Sequence, residues 1–338
     1  VSAPSFYPNE FSTGISPELW RRLVNDPDKP LRNKPIQDHN SPGSTFKPLI
    51  ALASLAENVV TPNTVVACPG ALRFGSRLYH DHLKGGHGNI VITQAIERSS
   101  NVFFYKMGDR LGIDKMFHYC DGLGIGRRTG VELGGERSGL MPSAPWKKET
   151  IGEEWQLGEN LSVAIGQGFV LTNPLQMAVA YNAIGNEGKI VKPFVVKRIL
   201  SNDNKVLREN EPQVVRDLAD PNGPYHVKKE VFKTVKEGLR LVVNGERGTA
   251  RGSRLAYIEM AGKTGTSQVM SFSADQIYGS CEARPKYQRH HGWFIGYAPA
   301  DNPEIAFGVL AEHACHGASG AAPVAKAMVA AYVAKYHP

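Results

Sequence analysis

Apolar positions along the chain predict several helices. Between residues 45 and about 58, apolar side chains recur at helical spacing, at Phe46, Leu49, Ile50, Leu52, Ala53 and Leu55. This pattern predicts a buried helix that begins just after Ser44. Similar patterns predict helices over Thr93–Leu111 and from Asn173 onward. A shorter helix is expected at residues 16–23, where Ser16 would cap the first turn and Pro17 would take its first position.

Three runs near the C-terminal end have the composition of β-strands. They cover residues 259–270, 292–298 and 305–312, and the last two are separated by a turn of the length expected in a hairpin. An alanine-rich segment at 321–336 predicts a final helix that packs across this sheet. With glycine-punctuated loops at 61–90 and 122–145, the whole pattern predicts an α+β fold with a mainly antiparallel sheet.

Composition and charge narrow the range of partners. A chain of 338 residues with 41% apolar residues can bury a large core, in one large or two smaller lobes. The net charge of +7 favours anionic surroundings. The densest basic run, Arg284–His291, is not accompanied by the signature of a nucleic-acid module, so we expect no nucleic-acid partner. No run of about 18 apolar residues predicts a membrane span.

The start of the chain and its cysteines leave the cellular compartment open. The chain begins at Val1 without a signal-like segment, so we expect a processed or excised piece whose membrane anchor would lie upstream. Four scattered cysteines, Cys68, Cys120, Cys281 and Cys315, allow two disulfides, one or none. Cys281 and Cys315 flank the last predicted strands and could pair, but free buried thiols are an equal alternative.

Ser44 and Lys47 lie three residues apart where the first predicted buried helix begins. Because positions i and i+3 of a helix share one face, these two side chains can meet. A serine becomes nucleophilic when a neighbouring base accepts its proton, and burial can lower the pKa of a lysine enough for that role. At the start of a helix, free N–H groups would also stabilise an oxyanion. A solvated helix lysine is the alternative.

Two further motifs accompany this pair, and each occurs once. Ser99-Ser100-Asn101 precedes an aromatic stripe, and Lys263-Thr264-Gly265-Thr266 lies in a predicted strand whose glycine lets a ligand approach closely. Together SxxK, SxN and KTG are typical of penicillin-binding proteins and class A β-lactamases. The chain resembles the transpeptidase domain of class B penicillin-binding proteins over essentially all of its length.

Other stretches support this resemblance, among them residues 166–168, 172–178 and 292–299. Residues 136–147 and the loop 80–88 resemble the elongation-type subgroup, the penicillin-binding protein 2 group. The resemblance implies the fold shared with serine β-lactamases, an antiparallel sheet flanked by helices with an all-helical lobe. It also implies that residues 1–338 are one transpeptidase domain, whose N-terminal membrane anchor and pedestal are absent from this chain.

The resemblance implies a D,D-transpeptidase that cross-links peptidoglycan stem peptides during cell elongation and shape maintenance and is inhibited by β-lactams. Ser44 would attack the carbonyl of the penultimate D-alanine, and Lys47 would accept its proton. Ser99 would relay a proton toward the leaving D-alanine. Asn101 would hydrogen-bond Lys47 or the substrate amide. An amine from a neighbouring stem peptide would then take the acyl group.

The third motif would bind the substrate. In the mechanism that the resemblance implies, Lys263 adds positive potential, while Thr264 and Thr266, on either side of Gly265, hold the substrate carboxylate. The oxyanion would lie between the N–H groups of Ser44 and Thr266. No cofactor would be required for catalysis.

The glycine-rich loop also carries metal-ligand side chains. Cys68, Asp81 and His87 fall within twenty residues, with His80 and His82 beside Asp81. A thiolate, a carboxylate and an imidazole suit a structural zinc ion, although the spacing matches no zinc-finger signature. A comparable grouping resembles the metal-holding loop of some elongation-type relatives. A fourth ligand is not evident, because Ser100 stands where a stronger ligand is expected.

Two alternatives to a transpeptidase would have the same nucleophilic serine and the same lysine. A class D-like serine β-lactamase would also have Phe46 between them, but the 161 residues between Asn101 and Lys263 exceed what a compact β-lactamase needs. No acidic residue stands out as the activator of a deacylating water, although Glu153, Glu154 and Glu159 lie in this region. A β-lactam sensor domain would have the same site without cross-linking.

The resemblance further implies a location and partners. The domain would work at the periplasmic face of the bacterial inner membrane. Its partners would be a membrane glycosyltransferase of the shape, elongation, division and sporulation type and scaffold proteins of the rod complex.

Overall fold

The structure is a computed structural model that describes residues 1–12, 14–269 and 279–337. Its helices are α1 Pro17–Asn25, α2 Lys34–Gln37, α3 Lys47–Ala56, α4 Ile92–Glu97, α5 Asn101–Gly122, α6 Ala144–Ile151, α7 Leu157–Ala164, α8 Pro174–Gly185, α9 Lys229–Asn244 and α10 Ala322–Tyr336. Its strands are β1 Val66–Cys68, β2 Ala71–Phe74, β3 Arg77–His80, β4 Gly88–Ile90, β5 Lys189–Lys192, β6 Arg198–Leu200, β7 Val206–Glu209, β8 Gln213–Asp217, β9 Ala261–Ser267, β10 His291–Ala298 and β11 Ile305–Ala311.

The main sheet is antiparallel, with β10 in the centre between β11 and β9. This confirms the three predicted strands and the hairpin that joins the last two. Met270, the end of the first predicted run, lies outside the described residues. Trp293 and Phe294 on β10 are fully buried, as expected of strand residues covered on both faces. The shorter strands pair as β1 with β4, β2 with β3, β5 with β8 and β6 with β7.

Helices cover the sheet and extend beyond it. Helix α8 packs against β10 and β11, α9 against β9, and α10 against β11 and β10. Helices α3, α5 and α7 form a second group, in which α5 contacts both others, and α3 also packs on α9. One continuous hydrophobic cluster runs through both groups and includes Phe46, Phe103, Phe232 and Trp293. The predicted α+β architecture is therefore confirmed, and the lobes share one core.

The start of α3 follows the sequence prediction closely. A 3₁₀ turn, Gly43–Phe46, leads directly into α3, whose residues from Lys47 to Leu55 are all buried. The predicted Ser16 cap is also confirmed, since Ser16 accepts a hydrogen bond from the Leu19 N–H. Asn173 caps α8 in the same way by accepting a hydrogen bond from the Gln176 N–H. The chain therefore reaches Lys47 through a turn that faces the sheet.

The single helix predicted over Thr93–Leu111 is wrong. Helix α4 ends at Glu97, and α5 begins again at Asn101. Between them Ser99 adopts φ +59°, a left-handed conformation that a serine rarely takes. Ser100 then caps α5, because its hydroxyl accepts a hydrogen bond from the Phe103 N–H. A serine before an apolar run is a cap signal that the apolar periodicity alone obscured.

The structure also resolves the alternatives for the cysteines. Cys281 and Cys315 form a disulfide with Cα atoms 5.7 Å apart, while Cys68 and Cys120 are free and buried. The disulfide ties the connection between β9 and β10 to the segment that follows β11. Among the described residues, none of the helices combines the length and the apolar character that crossing a bilayer requires.

Candidate active site

Lys47 is buried among the residues of the SxN motif. Its side chain is fully enclosed, and Nζ donates hydrogen bonds to the Ser99 carbonyl oxygen at 2.7 Å and to Asn101 Oδ1 at 2.7 Å. Nζ also lies 3.2 Å from Ser99 Oγ. The left-handed conformation of Ser99 turns both its carbonyl and its hydroxyl toward the amine. The solvated-lysine alternative is therefore wrong.

Burial gives this amine the electronic properties of a base. It lowers the pKa of Lys47 to about 7, and the negative charge of Asp81 partly opposes the shift. A neutral amine has two N–H donors and one lone pair. The Ser99 carbonyl and Asn101 Oδ1 accept only, so they engage both donors. The lone pair then remains for a proton from a neighbouring hydroxyl.

Ser44 lies half-buried in the 3₁₀ turn that precedes α3. The Lys47 N–H donates to the Ser44 carbonyl, which closes the turn. In a 3₁₀ turn the side chains at i and i+3 eclipse each other, so the Ser44 hydroxyl and the Lys47 amine project on the same side. This geometry supports the predicted nucleophile and base.

Glycines bring the Ser44 turn against β9, the strand that carries the KTGT residues. We call this contact, which is made by Gly43, Gly166 and Gly265, the glycine seam. A Cβ atom on Gly43 would collide with the Thr266 carbonyl oxygen, and one on Gly265 would lie 2.8 Å from the Pro42 carbonyl oxygen. Gly43 also donates to the Gly166 carbonyl at 2.9 Å. Three backbone segments therefore meet without intervening side chains, and the residue before Ser44 packs directly on the backbone of Thr266.

The turn 166–168 is part of this seam. Gly166 has φ +69°, and a Cβ atom there would collide with the Gly43 carbonyl oxygen. Gln167 Nε2 lies 3.4 Å from the Thr266 carbonyl oxygen, to which it donates. The contact of the Gln167 side chain was not predictable, because a single glutamine in a loop carries no signal of its partner.

The KTGT strand places a second lysine inside the protein. Lys263 is fully buried, and its Nζ donates to the Thr264 carbonyl at 3.1 Å. Burial, and then the positive charge of Lys47, hold the pKa of Lys263 well below its ordinary value. Lys263 is therefore not an exposed strand lysine. The hydroxyls of Thr264 and Thr249 lie 2.7 Å apart, and Thr249 is a site residue that sequence reasoning missed.

The loop 80–87 supports the SxN motif. Asn101 Nδ2 donates to the His80 carbonyl at 3.2 Å. Asp81 Oδ2 accepts hydrogen bonds from Ser100 Oγ at 3.0 Å and from the Val102 N–H at 2.9 Å. A carboxylate at this position also satisfies a free donor in the first turn of α5. The loop therefore fixes the residues on both sides of Asn101.

Asp81 is buried, yet it is held as an anion. Burial raises the pKa of its carboxyl group, but hydrogen bonds from His82, His87 and the Val102 N–H outweigh burial and hold the pKa far below its usual range. Its charge acts in turn on Lys47, as noted above. Sequence reasoning placed Asp81 only among metal ligands, because its approach to α5 depends on the folded loop.

The potential metal ligands are Asp81, His82 and His87, whose ligand atoms all lie within 4.8 Å of one another. Asp81 Oδ1 is 2.9 Å from His82 Nδ1 and 3.2 Å from His87 Nε2. The predicted set contained Cys68 in place of His82. The group does not include the Cys68 thiol, which donates to the Val66 carbonyl at 3.5 Å and whose pKa is raised by burial.

The acidic residues that a hydrolase would need are paired with lysines. Glu159 lies 2.8 Å and Glu153 3.4 Å from the amine of the buried Lys147. Glu154 pairs with Lys148 at 2.6 Å. Each of these three carboxylates is therefore already engaged in an ion pair, which favours the transpeptidase over the β-lactamase interpretation.

Comparison with known proteins gives the same family. The model of the penicillin binding protein transpeptidase domain matches residues 1–330. The peptidoglycan D,D-transpeptidase MrdA of Haemophilus influenzae is 36% identical over 337 residues, which cover 98% of this chain and 50% of the relative. The protein of the same name from Acinetobacter baumannii is 37% identical over 323 residues, or 95% of this chain and 46% of the relative. The chain spans about half the length of these curated relatives.

Solved structures agree with these relatives. The crystal structure of Pseudomonas aeruginosa PBP2 in complex with WCK 5153 superposes with a TM-score of 0.84 at 33% identity, over 100% of this chain and 68% of that one. The complex between PBP2 and MreC from Helicobacter pylori gives a TM-score of 0.85 at 29% identity, over 100% of this chain and 58% of that one. The predicted fold shared with penicillin-binding proteins is confirmed.

Proposed function

Because the chain belongs to the penicillin-binding protein transpeptidase family, we propose that it is a serine-type peptidoglycan D,D-transpeptidase of the elongation type, inhibited by β-lactams. One observation carries the proposal. Lys47 is buried, has a pKa of about 7, and contacts both ends of the SxN motif. These are the properties that a base needs to activate a serine at neutral pH.

The reaction begins with acylation of Ser44. The hydroxyl oxygen bonds to the carbonyl carbon of the penultimate D-alanine while Lys47 takes its proton. The N–H groups of Ser44 and Thr266 stabilise the oxyanion, and loss of one such donor typically costs about 100-fold or more in rate. As the peptide C–N bond breaks, Ser99 passes the proton from Lys47 to the leaving D-alanine nitrogen.

The second half of the reaction reverses these roles. An acceptor amine attacks the acyl carbon, its proton passes to Lys47, and Ser44 leaves as the restored hydroxyl. Asn101 holds Lys47 in position through its Oδ1. Lys263 supplies positive potential, and the hydroxyls of Thr264 and Thr266, with Gly265 between them, bind the carboxylate of the substrate. No step needs a cofactor.

A cross-linking assay tests this function. A labelled stem pentapeptide is incubated with the natural chain and an acceptor amine, and products are separated by mass. We expect one D-alanine released for each cross-linked product. Release of D-alanine with only hydrolysed donor would indicate a hydrolase. A stable acyl-enzyme after penicillin, with no turnover of any peptide, would indicate a β-lactam sensor.

We also propose that the loop 80–87 holds a structural zinc ion. A carboxylate and two imidazoles are suitable zinc ligands, and Asp81 keeps Oδ1 toward the histidines while Ser100 and Val102 fix Oδ2. A zinc ion there would hold the loop against α5 and would take no part in the reaction.

Metal analysis of the purified chain tests the zinc proposal. We expect about one zinc ion per chain in the natural protein and little in His87→Ala, with the exposed His118→Ala as a control that keeps its metal. Cys68→Ser should also keep it, because the thiol lies outside the cluster. Loss of zinc in Cys68→Ser would return Cys68 to the ligand set, and a metal-free natural protein would contradict the proposal.

The relatives support proposals about place and partners. We propose that residues 1–338 are one transpeptidase domain of a longer protein, anchored by an N-terminal segment to the inner membrane and working at its periplasmic face. A PBP2 is known in complex with MreC, which supports scaffold proteins of the rod complex as partners. A membrane glycosyltransferase would supply the strands to be cross-linked.

A further inference from the structure

A cavity of about 270 Å³ lies beside the proposed catalytic residues. Its lining residues come from three separate segments and are His82, Leu83, Gly86, His87, Arg98, Arg247 and Thr249. None of these seven residues is acidic. Two guanidinium groups therefore face one concave surface without a carboxylate in its wall.

The walls of this cavity are continuous with the proposed active site. Arg98 directly precedes Ser99, which contacts Lys47. On the opposite wall, the Thr249 hydroxyl lies 2.7 Å from the Thr264 hydroxyl, the group proposed to bind the substrate carboxylate. A substrate held by Ser99 and Thr264 would extend toward this cavity.

The turn that carries Arg247 is fixed by a buried carboxylate. Glu97 is 6% exposed, and its Oε1 accepts a hydrogen bond from the Arg247 N–H at 3.1 Å. Gly245 packs so closely on Glu97 that a Cβ atom would collide with the same oxygen. The backbone of this turn is therefore positioned before any ligand arrives, which reduces the ordering cost of binding.

Both guanidinium groups have unused hydrogen-bonding capacity. Arg98 Nε is buried without a hydrogen-bond partner in the described part of the chain, and its ion pair with Glu97 spans 3.5 Å. Arg247 is exposed, and within residues 1–12, 14–269 and 279–337 its side chain makes no ion pair. A planar guanidinium presents paired N–H donors that match a carboxylate.

We propose that this pocket binds a carboxylate of the peptide substrate, with Arg247 as the principal cation, Arg98 as the second and Thr249 as the hydroxyl that links the pocket to Thr264. The inference rests on the proposed transpeptidase function and adds specificity-determining residues to it. The carboxylate belongs either to the C-terminus of the leaving residue, which Arg247 would then share with Thr264 and Thr266, or to a side chain of the stem peptide. Both sources share the same chemistry, and peptides lacking one or the other separate them.

Steady-state kinetics of Arg247→Ala provide the test. Loss of a charged hydrogen bond that acts equally on bound substrate and transition state should raise KM by about 10- to 100-fold and leave kcat nearly unchanged. Three peptides are compared: the parent, its C-terminal amide, and a version with the side-chain carboxylate amidated. The peptide that lacks the recognised carboxylate should bind weakly to the natural chain and be indifferent to Arg247→Ala. The exposed Arg254→Ala, with the same charge change, is the matched control.

The outcomes separate this proposal from the proposed function. If Arg247→Ala and the natural chain have the same KM for all three peptides, while penicillin at saturation still labels both completely, the pocket is not a carboxylate site and the function stands. A fall in kcat for every peptide with KM unchanged would likewise overturn it. If the natural chain forms no acyl-enzyme, the function fails and this proposal fails with it. Thermal unfolding of each variant checks that the fold is intact.

Discussion

Replacing Ser44 by alanine is expected to abolish covalent labelling of the protein by penicillin. The acyl bond needs an oxygen at this position, and no other hydroxyl shares the turn beside Lys47 with the same spacing. Intact-protein mass spectrometry should show the natural chain heavier by one penicillin molecule and the Ser44→Ala protein unchanged. The Ser44 side chain is small and half-buried, so its loss should leave the fold intact.

A neighbouring serine provides the control for this experiment. Ser41 is also half-buried and lies three residues before Ser44. Ser41→Ala should therefore acquire the same mass increment as the natural chain. An increment that survived Ser44→Ala would assign the nucleophile elsewhere, whatever the behaviour of Ser41→Ala.

Acylation by the natural chain should accelerate as the pH rises through about 7. The rate should rise with pH because the pKa of Lys47 is lowered to about 7. Below that pH Lys47 is protonated and cannot accept the Ser44 proton, whereas above it the neutral amine predominates. Replacement of Lys47 by methionine removes the base and should slow acylation by about 10²- to 10⁴-fold. The second-order rate constant for penicillin acylation, measured against pH, checks both expectations.

Two variants distinguish the role of the base from that of the charge. Lys47→Arg retains a cation but cannot release its proton near neutral pH, so it should be as slow as Lys47→Met. Lys106→Met, on α5 outside the Lys47 environment, should keep the natural profile. A rate for the natural chain that was equal on both sides of pH 7 would contradict the assignment of Lys47 as the base.

Much of the fold was predictable because its signals are local. The period of apolar residues identified α3 and α8, and strand-like composition identified β9, β10 and β11. The break between α4 and α5 was missed, because the left-handed conformation of Ser99 is imposed by its contacts with Lys47, 52 positions earlier in the chain. Local propensity holds no information about such a partner.

Only those residues of the site that belong to sequence motifs were predictable. Spacing placed Ser44 near Lys47, while the proximity of Asn101 and Lys263 followed from resemblance to a family. Thr249 was not predicted, because only its hydroxyl contact with Thr264, which lies on another element, connects it to the site. The action of Asp81 on Lys47 was missed for the same reason: a charge modifies a pKa through distance, and distance is a property of the folded chain.

The glycine seam has a consequence for antibiotic resistance. The turn that carries Ser44 and the strand that carries Thr266 touch backbone to backbone, with no space for even a methyl group at Gly43 or Gly166. Under the proposed function, drug and natural peptide both react beside this close backbone contact. Substitutions that reduce inhibition are then expected on the walls of the cleft farther from the reacting carbonyl, because any side chain at Gly43 or Gly166 would displace neighbouring backbone.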